Sequence, residues 1–288
     1  MHKIHNAFFL AMLIVTACKK PHFPHQPKPC PATEDCLLTA LHTTQGLSRD
    51  SEGPENSSEI FRNPDNRPYK HRGYMTGWET KIVSNITYAG NRMTLTDSGS
   101  GIKRMDVWFN SCGQPDSAKW YPTGLPNEFP TRTYYQYNST KKLTGFTTYF
   151  NEEYGPGVKK DVQIIRDAHG NVLKLTDGMS ITEWTYDYNQ PIKPAQIYYV
   201  TNSTPIWSTT FLLEQFGLID FRPRHVPKSI AYNMSGYQFD TEQITDVVIS
   251  RDKVVSYVHR VGDGGPNQGL YIRTVTLTYK CKSGHKKI

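Results

Sequence analysis

Residues 167–171, Asp-Ala-His-Gly-Asn, set a carboxylate and an imidazole two positions apart. Asp167 and His169 have the residue types that pass a proton between acid and base. The same stretch also meets the demands of a tight hairpin turn. Asp comes first to accept backbone N–H bonds, Ala168 and His169 form the bend, and Gly170 supplies the left-handed position before the return strand. The turn accounts for four residues and the dyad for two, so a type I turn with a G1 bulge is expected. Downstream, "TEWTYDYN" puts Trp184, Tyr186 and Tyr188 on one strand face and Glu183, Thr185 and Asp187 on the other. Such a row ordinarily packs against neighbouring strands. On an open face its rings would offer sugars a flat apolar platform, extended by Tyr135 and Tyr137 from the preceding hairpin. These five are the candidate ligand-binding residues. Glu183 and Asp187 stand about 13 Å apart along a strand, beyond the roughly 5–9.5 Å of a glycosidase pair.

Little else carries chemistry. There is no GxSxG, HExxH or phosphate-loop motif, and "GDGG" (262–265) lacks the following helix that a phosphate cradle needs. No catalytic residue, metal ligand or cofactor is expected. His22 and His25 lie in "PHFPHQP" and read as solvated linker. Apart from Cys18 there are four cysteines, Cys30, Cys36, Cys112 and Cys281, which allow three disulfide connectivities and show no zinc spacing. The net charge of +7 fits an acidic partner such as an anionic glycan. Lys and Arg are dispersed, with no basic run or recognition helix, so nucleic acid is not expected.

The elements that must position these residues are strands. The N-terminus, "MHKIHNAFFLAMLIVTACKK", has a basic start and a short apolar run, the pattern of a secretory signal peptide over residues 1–17. Its "VTAC" ending resembles a bacterial lipobox. By that resemblance Cys18 becomes the first mature residue, carries lipid, and with Lys19 beside it directs the chain to the outer membrane. The alternative is ordinary cleavage near Ala17. Residues 18–35 read as a Pro-rich tether. Residues 36–75 read as a first strand plus a long polar loop, and 76–283 as a domain of β-hairpins. Short alternating runs are broken by turn signals, as in "KIVSNITY-AGN-RMTLTD" and "ITDVVIS-RD-KVVSYVHRV". The last strand alternates cleanly, Val275 and Leu277 on one face and Thr274, Thr276 and Thr278 on the other. "IWSTTFLLEQFGLIDF" lacks alternation and reads as one short helix near 207–217, stopped at Gly217 and packed as a plug or lid.

"YQYNSTKKLTGF", "RDAHGNVLKLTDG" and "EWTYDYN" resemble degenerate YD repeats, the tyrosine/aspartate hairpins of Rhs-type shells. Together with the lipobox, "CKK" and the apolar segment before "HVPKSIAY", they are similar to Bacteroidota lipoproteins with a porin-like β fold. The resemblance implies an all-β antiparallel meander forming a large curved or barrel-like sheet, and brings no catalytic residues. A non-catalytic, lipid-anchored envelope protein follows as the expectation. It would sit at the periplasmic face of the outer membrane and bind glycan or another envelope protein. The alternatives are a periplasmic hydrolase whose site is assembled from dispersed residues, and a small outer-membrane β pore.

Overall fold

The computed structural model describes residues 36–47, 56–73, 82–121, 130–150, 159–192, 206–234, 237–238, 241–261 and 271–281. The signal peptide, Cys18, the tether and Cys30 lie outside them. Seventeen strands and one helix follow in order. The first eight strands are β1 (Cys36–Leu47), β2 (Asn56–Arg62), β3 (Pro68–Gly73), β4 (Ile82–Ala89), β5 (Arg92–Asp97), β6 (Lys103–Phe109), β7 (Pro115–Trp120) and β8 (Thr131–Tyr137). Then come β9 (Leu143–Phe150), β10 (Lys159–Arg166), β11 (Val172–Thr176), β12 (Ser180–Pro191) and α1 (Ile206–Gln215). The chain finishes with β13 (His225–Met234), β14 (Tyr237–Gln238), β15 (Glu242–Ser250), β16 (Lys253–Val261) and β17 (Tyr271–Cys281). Consecutive strands pair antiparallel, β13 pairs β15 directly, and β17 pairs β1 from Leu47↔Tyr271 to Cys36↔Cys281. With β14 only a two-residue extension on β13, the sheet closes as a 16-strand barrel. Closure leaves no sheet edge to pair with another chain.

One rim is built from tight turns. Four hairpins repeat the same construction: β2–β3 at Asn63, β6–β7 at Asn110, β8–β9 at Asn138 and β10–β11 at Asp167. In each, the Asn or Asp amide donates to the carbonyl four residues on, and its own carbonyl accepts from the residue three on. That third residue is left-handed every time: Asn66 (φ 64°), Gly113 (75°), Lys141 (63°) and Gly170 (92°). The Asx side chain accepts the amide of the fifth residue at 2.8–3.0 Å. The turn read from "DAHGN" is therefore present as expected, and it is one of a set. β1 begins and β17 ends at this same rim.

The two wall faces differ as burial requires. Met93, Leu95, Met105, Val107, Phe146, Val162, Leu175, Ile230, Tyr257 and Val275 point into the barrel and are buried. On the opposite face lie Thr87, Thr94, Gln163, Lys174, Glu183, Thr185, Thr274, Thr276 and Thr278, exposed or half-buried. Residues 45–73, read as a long polar loop, hold the end of β1 and all of β2 and β3. The reason is that β2 and β3 turn polar residues inward. Ser58 and His71 face the lumen beside Ile60, and Arg62 reaches inward to the helix end, so the apolar alternation that marks a strand is missing.

The segment read as a helix is a plug. After α1, Gly217 (φ 73°) allows a Schellman closure, Gly217 N–H donating to Glu214 O at 2.7 Å and Leu218 N–H to Leu213 O at 2.9 Å. Leu212, Leu213 and Phe216 are buried. The helix end is held from opposite sides of the ring. On β2, the Ser58 hydroxyl donates to Gln215 Oε1 (2.9 Å) and Arg62 to the Phe216 carbonyl (3.1 Å). On β10, eight strands round, Arg166 donates to the Asp220 carbonyl at 2.5 Å. A segment that touches walls half a ring apart crosses the lumen.

Candidate functional site: rim, lumen and outer wall

The aromatic strip splits between core and rim. Trp184 and Tyr186 are each 5% exposed and Tyr135 is 6% exposed, all three inside the barrel, whereas Tyr188 is 48% exposed at the tight-turn rim. The open-platform role therefore falls away for Trp184, Tyr186 and Tyr135, whose face is the inner one. Tyr135 packs against Phe146 with ring centroids 6.2 Å apart. Tyr137, half-buried, donates its hydroxyl to the Pro115 carbonyl at 2.9 Å, and Tyr186 does the same to Val172 at 2.6 Å. Tyr88 reaches Pro68 at 3.1 Å and Tyr279 reaches Val254 at 3.0 Å. Pro68, Pro115 and Val172 each open a strand immediately after one of the repeated turns. These tyrosines latch the start of one strand to the end of the next by donating to a carbonyl at that start. The same role recurs at four places, so for Tyr137 and Tyr186 it is structural.

At the rim, Asp167 is fully committed. Its carboxylate accepts from Asn171 N (2.8 Å), Asn171 Nδ2 (2.7 Å) and the Tyr188 hydroxyl (2.9 Å). Burial pushes its pKa up, but the bonds from Asn171 and Tyr188 outweigh this and hold it below the usual carboxylate value. His169 meets that carboxylate through its backbone amide, not through its imidazole. It stacks edge-on with His225 at 4.9 Å and tilts against Tyr188 at 5.6 Å. Asn171 ties the group together: its Oδ1 accepts from Arg224 N and His225 N, and its Nδ2 lies 3.0 Å from His225 Nδ1. The two members of the supposed dyad thus hold a turn and cap the entry of β13.

Inside the barrel, Ser58 Oγ lies 2.9 Å from His71 Nε2, the spacing of a nucleophile and its base. The pair is sealed. His71 is buried, burial lowers its pKa to about 4, and the Ser58 hydroxyl is engaged with Gln215. Beyond α1, Asp220 gathers Arg222 (2.9 Å) and Arg224 (2.8 Å). Buried Glu214 sits near this group, and desolvation raises its pKa to about 8 despite the Arg222 charge. Glu183 is paired to Lys174 at 3.3 Å. Among the described residues no group of three His, Cys, Asp or Glu could hold a metal ion.

The residues that the strip reading overlooked lie on the outer wall. Trp108, Tyr121, Tyr134 and Tyr149 face outward on or beside β6–β9, interleaved with Lys119 and Arg132. A signal existed in the sequence. These aromatic residues occupy the alternate positions opposite Met105, Val107, Ala118 and Tyr135, the polar face of otherwise ordinary strands.

Two solved structures share this architecture. A porin-like protein from Bacteroides uniformis superposes with a TM-score of 0.62 at 15% identity, over 84% of this chain and 98% of its own. A porin-like protein from Bacteroides vulgatus gives 0.54 at 14% identity, over 85% of this chain and 98% of its own. At such identities the likeness shows a common barrel fold, the porin-like β fold the sequence was expected to adopt. The sequence matches no protein-family model and no curated protein.

Proposed function

We propose that the chain is a lipid-anchored, water-facing barrel of the cell envelope that acts as a non-catalytic binding module. The observation that carries this reading is the polarity of the outer wall. A barrel that spans a membrane turns an apolar band outward and a polar face inward. Here the faces are largely reversed: the inward side chains form a mostly apolar core, and the outward ones are mainly Thr, Lys, Glu, Gln and Arg, with the aromatic group on β6–β9 among them. Exposed apolar residues such as Ile102, Ile165 and Met179 lie far apart in the chain, and only Val248 and Ile249 are neighbours; so few residues form no band. α1 and the residues that follow it cross the lumen from β2 to β10, which argues against an open conducting pore.

The porin-like neighbours and the lipobox-like "VTAC" both favour an envelope setting. Lipid on Cys18 would anchor the chain at the periplasmic face of the outer membrane, with glycan or another envelope protein as partner. β1 starts at the tight-turn rim, so a tether ending there would set that rim towards the membrane. Extraction tests this reading. Membranes carrying the parent chain should release it only with detergent, and Cys18→Ser should release it into buffer. A Cys18→Ser protein that still needs detergent would support the pore instead.

A further inference from the structure

The outer wall of β5–β9 presents cations and rings while hiding its central carboxylate. In the backbone register, Arg92, Trp108, Ser117 and Tyr134 stand side by side on successive strands, and the adjacent row runs Thr94, Asp106, Lys119, Arg132 and Tyr149. The Arg132 guanidinium carbon is 5.5 Å from the Trp108 ring centre and 5.4 Å from that of Tyr134. Wedged there, its position is fixed by two rings, and its planar fork is suited to a carboxylate. Trp108 and Tyr134 are two strands apart, about 10 Å, with the small, buried Ser117 on the strand between them and the Arg132 guanidinium lying against both rings. Tyr149 meets Tyr134 edge-on at 5.8 Å.

The charges are layered. The side chains of Arg92 and Lys103 are 44% and 43% exposed, while Asp106 between them is 1% exposed. Asp106 is turned into the wall, accepting from Thr94 (2.6 Å), the Tyr121 hydroxyl (2.8 Å) and Lys103 (3.1 Å). Solvent therefore meets a surface of positive charge beside half-buried rings, two of which carry the Arg132 guanidinium. Its complement is a chain of flat, weakly apolar units that carry regularly spaced negative groups.

We infer that this wall binds an acidic polysaccharide, with sugar rings on Trp108 and Tyr134 and the acidic groups on Arg92, Lys119 and Arg132. The inference rests on the binding-module reading and supplies its ligand class. The gap between the two rings suits alternate sugars of an extended chain, the intervening sugar passing over Ser117 and Arg132.

Calorimetric titration of the full mature chain in detergent solution, with oligogalacturonate and its methyl ester, tests it. Both probes have the same sugar backbone, and only one is charged. The acid form should bind, the ester about tenfold more weakly, and added salt should weaken the acid form. Trp108→Ala and Arg132→Gln should each lower affinity for the acid about tenfold. Should those two loosen the wall, Lys119→Gln leaves the rings in place and must still weaken binding. Equal binding of acid and ester would overturn the acidic ligand and leave a neutral-glycan module. Binding indifferent to all three variants would overturn the site, and no binding of either probe would overturn the inference altogether. Single-stranded DNA bound as tightly as the acid glycan would replace the glycan with a nucleic acid. None of these outcomes bears on the Cys18→Ser extraction, which judges the envelope reading separately.

Discussion

At the tip of one hairpin, Asp167 accepts hydrogen bonds from Tyr188, from the His169 amide and twice from a single residue, Asn171. Asp167→Ala would strand a buried amide and leave Asn171 without its anchor. A loss of about 1–3 kcal/mol is expected in urea denaturation. Gly170→Ala, with φ at 92°, should cost about 1–2 kcal/mol for placing a Cβ in the left-handed region. The tyrosines allow a sharper comparison. Tyr186→Phe leaves the buried Val172 carbonyl unpaired and should cost about 1–3 kcal/mol, while Tyr188→Phe, at the exposed rim, should fall near 0.5 kcal/mol. A ligand role for Tyr186 would predict the reverse of a stability effect, namely lost binding in a protein as stable as the parent. The turn was legible at this scale because four neighbouring residues settle it. Which way the strip faces was not, because alternation separates two faces without saying which one is inside.

The helix is the element on which the lumen depends. Leu213 is fully buried in its last turn, and Leu213→Ala should cost about 2–5 kcal/mol while leaving the far-ultraviolet β signal in place. Two buried groups at this interface give opposite pH dependences. Glu214 is raised from 4.5 to about 8, so its contribution is complete below pH 4.5 and is lost as pH climbs through 8. His71 is lowered from 6.5 to about 4, so its contribution is complete above pH 6.5 and is lost as pH falls through 4. Stability measured by thermal unfolding should therefore peak between them. Glu214→Gln should flatten the alkaline limb alone, and an unchanged alkaline limb would show that Glu214 is ionised in the fold. The plug itself was readable from its missing alternation and the Gly217 stop. β2 and β3 were not, because Ser58, His71 and Arg62 spend inward positions on the helix end, and a polar inward residue looks the same in sequence as a loop residue.

For the whole molecule, hairpin rhythm revealed an antiparallel meander, and the clean alternation of β17 marked Val275 and Leu277 as core. Closure was less accessible, since it depends on β17 finding β1 across more than 200 residues, and no local pattern encodes that pairing. The polarity of the wall is likewise a property of the closed ring, visible only once every strand has an inside. On the proposed reading, that polarity is what would distinguish a water-facing barrel from a pore of similar outline. The direct measurement is labelling of outward positions in intact membranes, using Gln163→Cys, Thr185→Cys and Thr276→Cys, each in a background with Cys30, Cys36, Cys112 and Cys281 replaced by Ser, with a water-soluble maleimide. The water-facing barrel predicts that all three positions around the wall react at once and at similar rates, with fluorescent adducts emitting as they do in water. Protection of all three until the membrane is dissolved would place the wall in lipid and contradict it.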